Sequence, residues 1–356
     1  MSPASTLHLG TGDSAVTTAQ AGGKGRSLDT LCRLGVRVPE AFVVTTDAYR
    51  AAVAGRLGTE LDRRIRALHP EAGLDVLTEE SAAIRELLYT ETEQHHADAA
   101  IRSAYAQLAE RIGQDEPPVA VRSSSAAEDS ADRSFAGEHD SYLWVLGADE
   151  VAAAVRQCWA SLFTARAISY RARDGVESTD DAMGVVVQRM VDATAAGVFM
   201  TLNPANGDRS KVVIESVWGL GEPLVSGTVT PDRFVVDKIT REVLTRDVAA
   251  KATRATRDPA TGRGIATVPV DEADQNLPSL QKEHIEQLLE IAHLIENHAK
   301  TPQDGEFVID AEHVHVVQAR PETVWSTKPP RQVSKPNQGA MAHVLAALTG
   351  GAQAKP

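Results

Sequence analysis

Three segments with groups suited to a polyphosphate or a hard metal ion lie far apart in this chain. Residues 22–25 read Gly-Gly-Lys-Gly, residues 119–137 join Val-Ala-Val-Arg to a polar loop, and residues 304–321 alternate polar and apolar side chains. A single site made from them combines the beginning, the middle and the end of 356 residues. With 42% hydrophobic residues, the chain can form two or three cooperating subdomains around a sizeable core.

The charge balance limits the partners of this protein. Its 36 basic and 49 acidic residues give a formal net charge of −13, which argues against nucleic-acid binding and against an anionic membrane surface. Cys32 and Cys158 form no CxxC pattern and indicate a reducing compartment. No apolar run approaches the roughly 20 residues that span a bilayer, and residues 1–14 lack a signal-peptide pattern. We therefore expect a soluble, cytoplasmic protein.

Hydrophobic periodicity predicts a chain of mixed helices and strands. Helices are predicted over residues 23–34, 48–57, 151–172 and 280–299, with a run of amphipathic helices over 58–113. Strands are predicted over residues 42–46, 119–122, 184–191, 197–201 and 211–215, with edge strands over 234–237 and 242–247. Residues 251–278 are predicted to be irregular because they are polar and show no period.

The last ordered unit is predicted to be a β-hairpin with a three-residue loop, 311–313. Side chains alternate along a strand, so this register places Glu306 opposite Gln318, with Arg320 on the same face. The same register sets Val308 opposite Val316 and puts Phe307, Ile309 and Val317 on the other face.

The hairpin offers ligands for a metal ion and a phosphate. Glu306 supplies a carboxylate and Gln318 a neutral carbonyl, and both are oxygen ligands of the kind that a hard cation prefers. Arg320 can reach a phosphate oxygen with its planar fork. An alternative interpretation is a hairpin whose polar edge is simply solvated.

Arg122 and Lys24 are the other candidate phosphate ligands. Arg122 ends a predicted strand and precedes three serines, and a strand end that opens into such a loop often captures phosphate. Residues 22–25 resemble a phosphate loop but not a Walker A motif, because Gly25 stands where Ser or Thr is required. The alternatives are a surface arginine and a helix N-terminus with a lysine in its first turn.

Taken together, the motifs resemble the N-terminal ATP-binding domain of the phosphoenolpyruvate synthase and pyruvate phosphate dikinase family. The resemblance covers roughly residues 20–325 and rests on an ordered series of short matches. These are Gly22-Gly-Lys24, Gly35-Val-x-Val-Pro39, Val121-Arg122-Ser-Ser, Ala127-Glu-Asp129, Ser134-Phe-Ala-Gly137, Ser161-Leu-Phe-Thr-x-Arg166, Trp218-Gly-Leu-Gly-Glu222 and Val317-Gln-Ala-Arg-Pro321. The chain departs from the family at Glu138, where Gln is frequent, and at Met200, where Phe is usual.

The resemblance implies an α+β fold of the ATP-grasp type, with ATP bound between two lobes. It implies an N-terminal lobe over residues 1–191, a C-terminal lobe over 192–325 and a flexible tail over 326–356. It also implies roles for individual residues: Lys24, Arg122 and Arg320 as catalytic ligands of the triphosphate, Glu306 and Gln318 as ligands of Mg²⁺, Gln188, Met190 and Val191 as the adenine pocket, and Gly137 and Ser141 as a loop that approaches the phosphates.

The family also carries a swivelling domain whose Thr-Ser-His histidine accepts the β-phosphoryl group of ATP. No Thr-Ser-His segment occurs in this chain, and His343 is a faint echo without the flanking domain. We therefore expect the ATP-binding subunit of a two-component, dikinase-type phosphotransferase with ATP and Mg²⁺ as cofactors. Its partner would be a separate subunit with the phosphohistidine domain, which binds a small acceptor.

The expected acceptor is a phenol such as p-cresol, because split enzymes of this kind resemble the aryl-phosphate synthases of aromatic degradation. The products would be an aryl phosphate, AMP and Pi. Three alternatives stay open: a regulatory module that binds nucleotide without transfer, a split phosphoenolpyruvate synthase-like enzyme with pyruvate as acceptor, and a truncated one-chain dikinase. The full set of phosphate and metal groups favours an enzyme over a sensor.

Overall fold

The computed structural model describes residues 4–69, 72–93, 95–125, 141–174 and 182–325. The predicted contributions of Gly137, Glu138 and His343, and the predicted tail over 326–356, lie outside the described residues. Residues 1–322 form one compact unit. Mixed helix and sheet, the broad fold class predicted from the sequence, is confirmed.

Nine α-helices, one 3-10 helix at Ser161–Phe163 and thirteen strands are found in the described part of the chain. The helices are α1 Thr18–Arg33, α2 Thr46–Val53, α3 Arg56–Arg66, α4 Leu74–Glu91, α5 His96–Ile112, α6 Ala148–Ala160, α7 Ala165–Asp174, α8 Glu222–Val225 and α9 Lys282–Ala299. The strands are β1 Thr6–His8, β2 Ala41–Val44, β3 Val119–Ser125, β4 Ser141–Val145, β5 Met183–Arg189, β6 Ala195–Met200, β7 Lys211–Trp218, β8 Asp232–Asp237, β9 Val243–Asp247, β10 Thr253–Arg257, β11 Ile265–Pro269, β12 Gln303–Ile309 and β13 Val314–Pro321.

The first sheet is antiparallel, with the strand order β1-β2-β5-β3-β4. Its central strands are apolar on both faces because both faces are covered. Phe42 and Val185 belong to one core cluster, which includes α2 to α6, whereas Val43 and Val186 pack with α1. This double burial explains the unbroken apolar runs in β2 and β5.

The second sheet is also antiparallel, with the strand order β13-β12-β6-β7-β8-β9. Phe199, Ile214, Phe234 and Phe307 are buried with the apolar face of α9 in one cluster. Residues that alternate with them, such as Glu306, lie on the opposite face, as expected for a sheet with one packed side.

Helix α1 packs against β3 and β5 of the first sheet and against β13 of the second. A capping box at Thr17 begins it, and Gly22 interrupts it with φ 69° and ψ −177°. A Cβ at Gly22 would lie 1.8 Å from the backbone oxygen of Ser124, so only glycine fits this contact. The contact sets the residues after Gly22 directly beside β3.

The β12–β13 hairpin differs from its predicted register at the loop. Ile309 pairs with Val314, so the loop has four residues, 310–313, and Val308 lies opposite His315 instead of Val316. A β-bulge then restores the pairing of Glu306 with Gln318. Phe307 pairs with Val316 and Glu306 pairs with Gln318, so Val317 is an extra residue in β13 without a partner in β12. The predicted pairing of Glu306 is therefore correct, but the unbroken alternation that placed Val317 with Phe307 is wrong.

The polar segment 251–278 was predicted to be irregular, and this prediction is wrong. It contains the antiparallel pair β10–β11, in which most side chains are exposed or half-buried. A parallel bridge between Gly219 and Ala255 connects this pair to the loop after β7. In the described part of the chain, every helix is too short or too polar to cross a membrane.

Candidate functional site

A cleft of about 270 Å³ lies between the two sheets. Strands β3, β4 and β5 of the first sheet and β6, β12 and β13 of the second contribute its walls. Residues of the segment 220–225, around α8, contribute another wall. Of the residues predicted to form a site, Arg122, Ser141, Gln188, Met190, Val191 and Glu306 line this cleft.

Arg122 of β3 reaches across to the second sheet. Its Nη2 donates to Oε2 of Glu306 at 3.0 Å and to Oε1 of Gln318 at 2.8 Å. The Arg122 side chain is 15% exposed and the Glu306 side chain 35% exposed. Three residues that were predicted from the sequence as phosphate and metal ligands therefore contact one another. Glu306 and Gln318 lie 184 and 196 residues after Arg122 in the chain.

The bulge in β13 provides a third acceptor for Arg122. An extra residue in a bulge leaves the regular hydrogen-bond ladder. The carbonyl oxygen of Val317, the extra residue here, accepts a hydrogen bond from Nη1 of Arg122 at 3.1 Å. The guanidinium fork is thereby held by one backbone oxygen and two side-chain oxygens of the same hairpin.

Lys24 of α1 contacts β3 one residue beyond Arg122. Its Nζ donates to the backbone oxygen of Ser123 at 2.9 Å. Ser124 fixes this turn of α1, because its Oγ accepts from the amide of Gly25 at 3.0 Å and donates to the backbone oxygen of Ala21 at 2.6 Å. The first turn after Gly22 thus holds the lysine beside β3, although Lys24 is not among the residues that line the cleft.

Arg320 is exposed and lies opposite Asp304 at the open end of the hairpin. Burial raises the pKa of the Asp304 carboxyl, and the charge of Arg320 opposes that shift. Ser27 of α1 donates to the backbone oxygen of Ala319 at 2.6 Å. Because Ala319 stands between Gln318 and Arg320, this bond ties the helix of Lys24 to the strand of Gln318.

Gln188 of β5 also lines the cleft, opposite Ala120 and two residues along the strand pair from Arg122. Its side chain is 2% exposed, and its Nε2 has no hydrogen-bond partner among the described residues. Buried polar groups usually have a hydrogen-bond partner, so this nitrogen is a donor that a ligand or a water molecule in the cleft could satisfy. Met190 and Val191 follow it along the chain, and the Met190 amide donates to the backbone oxygen of Pro118 at 2.8 Å.

Ser141 pairs with Arg122 across β3 and β4, at the rim of the cleft. Its partner in the predicted phosphate loop, Gly137, lies outside the described residues.

Several residues of the cleft were not predicted from the sequence. Leu143, Val198, Leu220 and Leu224 add apolar lining, and Glu222 adds a carboxylate. The sequence did carry a signal for part of this wall, because residues 218–222 matched the family without a role being assigned to them. Nothing in the sequence alone placed Leu143 or Val198 at the same surface.

The oxygen atoms around Arg122 fit a magnesium ion. No group of three His, Cys, Asp or Glu side chains in the described part of the chain is arranged to hold a metal alone. Mg²⁺ does not require one, since it is usually bound by one or two carboxylates together with substrate phosphates and water. Glu306 and Gln318 already place their oxygens around one cationic group, which is the donor set that such an ion uses.

Comparison with known proteins identifies the family. Residues 18–341 match the family described as pyruvate phosphate dikinase, AMP/ATP-binding domain. The chain belongs to this family. It is 36% identical to a phosphoenolpyruvate synthase of Aeropyrum pernix over 94% of its own length. It is 41% identical to a probable phosphoenolpyruvate synthase of Methanocaldococcus jannaschii over 85%, and 40% identical to a rifampicin phosphotransferase of a Streptomyces species over 89%.

This family member matches only part of those relatives. It spans 44% of the Aeropyrum enzyme, 25% of the Methanocaldococcus protein and 36% of the Streptomyces enzyme. Among solved structures, a dinucleotide-forming acetyl-coenzyme A synthetase of Korarchaeum cryptofilum covers 61% of the chain with 12% identity and a TM-score of 0.33. A likeness this low carries no argument, so the family assignment rests on sequence.

Proposed function

We propose that this chain is the ATP-binding part of an ATP-dependent phosphotransferase and that ATP binds in the cleft between the two sheets. The observation that carries the proposal is the contact of Arg122 with Glu306 and Gln318. It joins an arginine that we propose as a phosphate ligand to two side-chain oxygens that we propose as metal ligands, in a chain of an AMP/ATP-binding family. In this proposal residues 1–191 and 192–325 act as the two lobes of an ATP-grasp fold.

The adenine would occupy the apolar end of the cleft. Leu143, Met190 and Val198 provide apolar surface for the faces of a purine ring. Gln188 provides the buried amide nitrogen that donates to a ring acceptor. The ribose and phosphates would then extend toward Arg122, which lines the same cleft.

The triphosphate would be held by Arg122, Lys24 and Arg320, with Ser141 at the rim. Arginine forks bind phosphate oxygens in pairs, and a lysine contributes a compact charge. Glu306 and Gln318 would hold Mg²⁺, which supplies positive charge against the phosphate oxygens when it is bound. In phosphoryl transfer, positioning and charge stabilisation of this kind provide most of the catalysis.

The acceptor of the phosphoryl group would be a histidine on a separate partner subunit. The β-phosphoryl group would move to that histidine with release of AMP and Pi, and the partner would pass it to a small acceptor. The chain spans less than half the length of the three relatives named above. A phenol such as p-cresol is our proposed acceptor, which would make the product an aryl phosphate.

Pyruvate is the second candidate acceptor, because the relatives named above include a phosphoenolpyruvate synthase and a probable phosphoenolpyruvate synthase. Under this alternative the chain would be the ATP-binding part of a split enzyme of that type. The two acceptors differ in the partner subunit that binds them, and the same assay can compare them.

The experiment uses ATP labelled at the β-phosphate, Mg²⁺ and the purified chain, with and without a candidate partner that carries the histidine. We expect label on the partner histidine together with AMP and Pi. Addition of p-cresol or pyruvate then shows which acceptor removes the label. Binding of ATP without transfer to any partner would contradict the proposal and favour a nucleotide-binding regulatory module.

A further inference from the structure

We propose that Arg122 makes the metal site conditional on the nucleotide. Its guanidinium holds Glu306 and Gln318, and so hinders a free divalent cation from binding there until a polyphosphate draws the arginine away. This inference rests on the proposed function for the identity of the site. It adds a specificity rule, namely that the site accepts a metal–polyphosphate complex and rejects the metal alone.

The hydrogen bonds of Arg122 support this role. Its three side-chain hydrogen bonds within the described part of the chain end on the β12–β13 hairpin, at Glu306, Gln318 and the backbone oxygen of Val317. One nitrogen, Nη2, serves both side-chain oxygens. Hydrogen bonds between charged groups are among the stronger ones, so the guanidinium is a real competitor for these oxygens.

A metal ion and the guanidinium would be close neighbours of like charge. Mg²⁺ binds its oxygen ligands at about 2.1 Å, so an ion on Oε1 of Gln318 would lie within about 5 Å of Nη2 of Arg122. Arg122 is mostly buried, where charges are poorly screened. The two cations would therefore repel each other as long as the arginine keeps its present partners.

A triphosphate changes this balance in two ways. Its oxygens offer the guanidinium a bidentate partner, which frees Glu306 and Gln318. It also brings negative charge and further oxygen ligands for the metal. The metal and the polyphosphate should then strengthen each other's binding, and this coupling is reciprocal.

The test is the binding of Mn²⁺ to the full chain without nucleotide, followed by electron paramagnetic resonance of the free ion. We expect wild type to bind weakly and Arg122→Gln to bind about tenfold more tightly, within the usual range of coupling between two ligands. The double variant Arg122→Gln with Glu306→Gln should lose this gain. Arg189→Gln is the matched control, because Arg189 lines the same cleft but pairs with Glu40 at 2.7 Å.

Circular dichroism and thermal unfolding check that each variant is folded. If Arg122→Gln does not fold, Arg122→Met removes the same charge with a side chain of similar length, and the same gain in Mn²⁺ affinity is expected. Tight Mn²⁺ binding by wild type, or no gain in the folded Arg122 variant, would overturn the inference.

A second measurement separates this failure from failure of the proposed function. It compares binding of the Mn²⁺–ATP complex by wild type and by Glu306→Gln. If Glu306→Gln weakens that binding while the Arg122 variant gains no affinity for Mn²⁺ alone, the metal site stands and only the exclusion is wrong. If Glu306→Gln binds Mn²⁺–ATP as wild type does, the proposed metal site is wrong as well.

Discussion

Two ion pairs in this protein have similar lengths but differ in how far they are buried. Lys251 and Asp232 are 2.6 Å apart, and both side chains are 0% exposed. Arg122 and Glu306 are 3.0 Å apart, at 15% and 35% exposure. The first pair is sealed inside the protein, whereas the second opens onto a cleft.

The hydrogen-bond partners around the two pairs differ as well. Both oxygens of Asp232 are saturated, since Lys251 and the amide of Ala249 donate to Oδ1 and the amide and hydroxyl of Ser279 donate to Oδ2. The acceptors of Arg122 are the carboxylate of Glu306, the side-chain amide oxygen of Gln318 and the backbone oxygen of Val317 in the bulge, and Arg122 itself lines the cleft. A saturated buried pair holds structure, and an exchangeable pair at a cleft can hold a ligand.

The largest expected effect concerns the open pair. We expect Arg122→Ala and Glu306→Ala each to lower β-phosphoryl transfer by at least about 1,000-fold, the range found for arginines in phosphoryl transfer. Both variants should stay folded, with a fall in the free energy of unfolding of about 1–3 kcal/mol, because each removes hydrogen bonds of a charged group. Labelled ATP and urea unfolding measure the two quantities. Full activity in either variant would sink the assignment of the site.

The closed pair should behave in the opposite way. Asp232→Ala leaves the buried ammonium of Lys251 without a carboxylate, which should lower the free energy of unfolding by about 3–5 kcal/mol. The double variant Asp232→Asn with Lys251→Met removes both charges, keeps one acceptor oxygen for the surrounding donors and should recover part of that loss. Urea unfolding measures both variants. A change below about 1 kcal/mol in Asp232→Ala would show that the comparison between the pairs is mistaken.

Gln188 offers a smaller effect that separates binding from stability. Gln188→Leu removes the buried amide nitrogen that has no partner, so stability should stay the same or rise. ATP affinity should fall about tenfold, as expected for one lost hydrogen bond. Calorimetric titration with ATP and urea unfolding test the two parts. Unchanged ATP affinity would remove Gln188 from the proposed adenine pocket.

The smallest effect compares two serines that each donate to a distant backbone oxygen. Ser27 binds Ala319 at 2.6 Å beside the site, and Ser81 binds Phe163 at 2.7 Å in the helical layer. Replacement of either by Ala should lower stability by about 1 kcal/mol. Only Ser27→Ala should also weaken ATP binding, because it releases the strand of Gln318 from α1. Equal ATP affinities in both variants would contradict the positioning role of Ser27.

The sequence-based prediction of the hairpin was correct at Glu306 and Gln318 although the predicted loop length was wrong. The predicted pair of Glu306 and Gln318 is present because two deviations cancel, a loop one residue longer and a bulge at Val317. The loop could have been predicted, since Asp310 accepts from the amides of Glu312 and His313 as Asp commonly does in turns. The bulge could not have been predicted from local sequence, because the observed partner of its extra residue, Val317, is Arg122 in a distant strand.

Other features of the molecule could not be predicted from hydrophobic periodicity, for physical reasons. Strands β10 and β11 have few buried side chains, so they show no apolar alternation. The meeting of Arg122 with Glu306 depends on how two sheets pack, which local propensity does not encode. The order of the candidate ligands along the chain could be predicted, whereas the three acceptors of Arg122 could not.

The most direct test of the account is a crystal structure of the protein with Mg²⁺ and a non-hydrolysable ATP analogue. We expect the purine beside Gln188, the metal on Glu306 and Gln318, and the Arg122 guanidinium moved from those oxygens to the phosphates. An analogue bound outside the cleft, or bound inside it with Arg122 still on Glu306 and no metal on that carboxylate, would contradict the account.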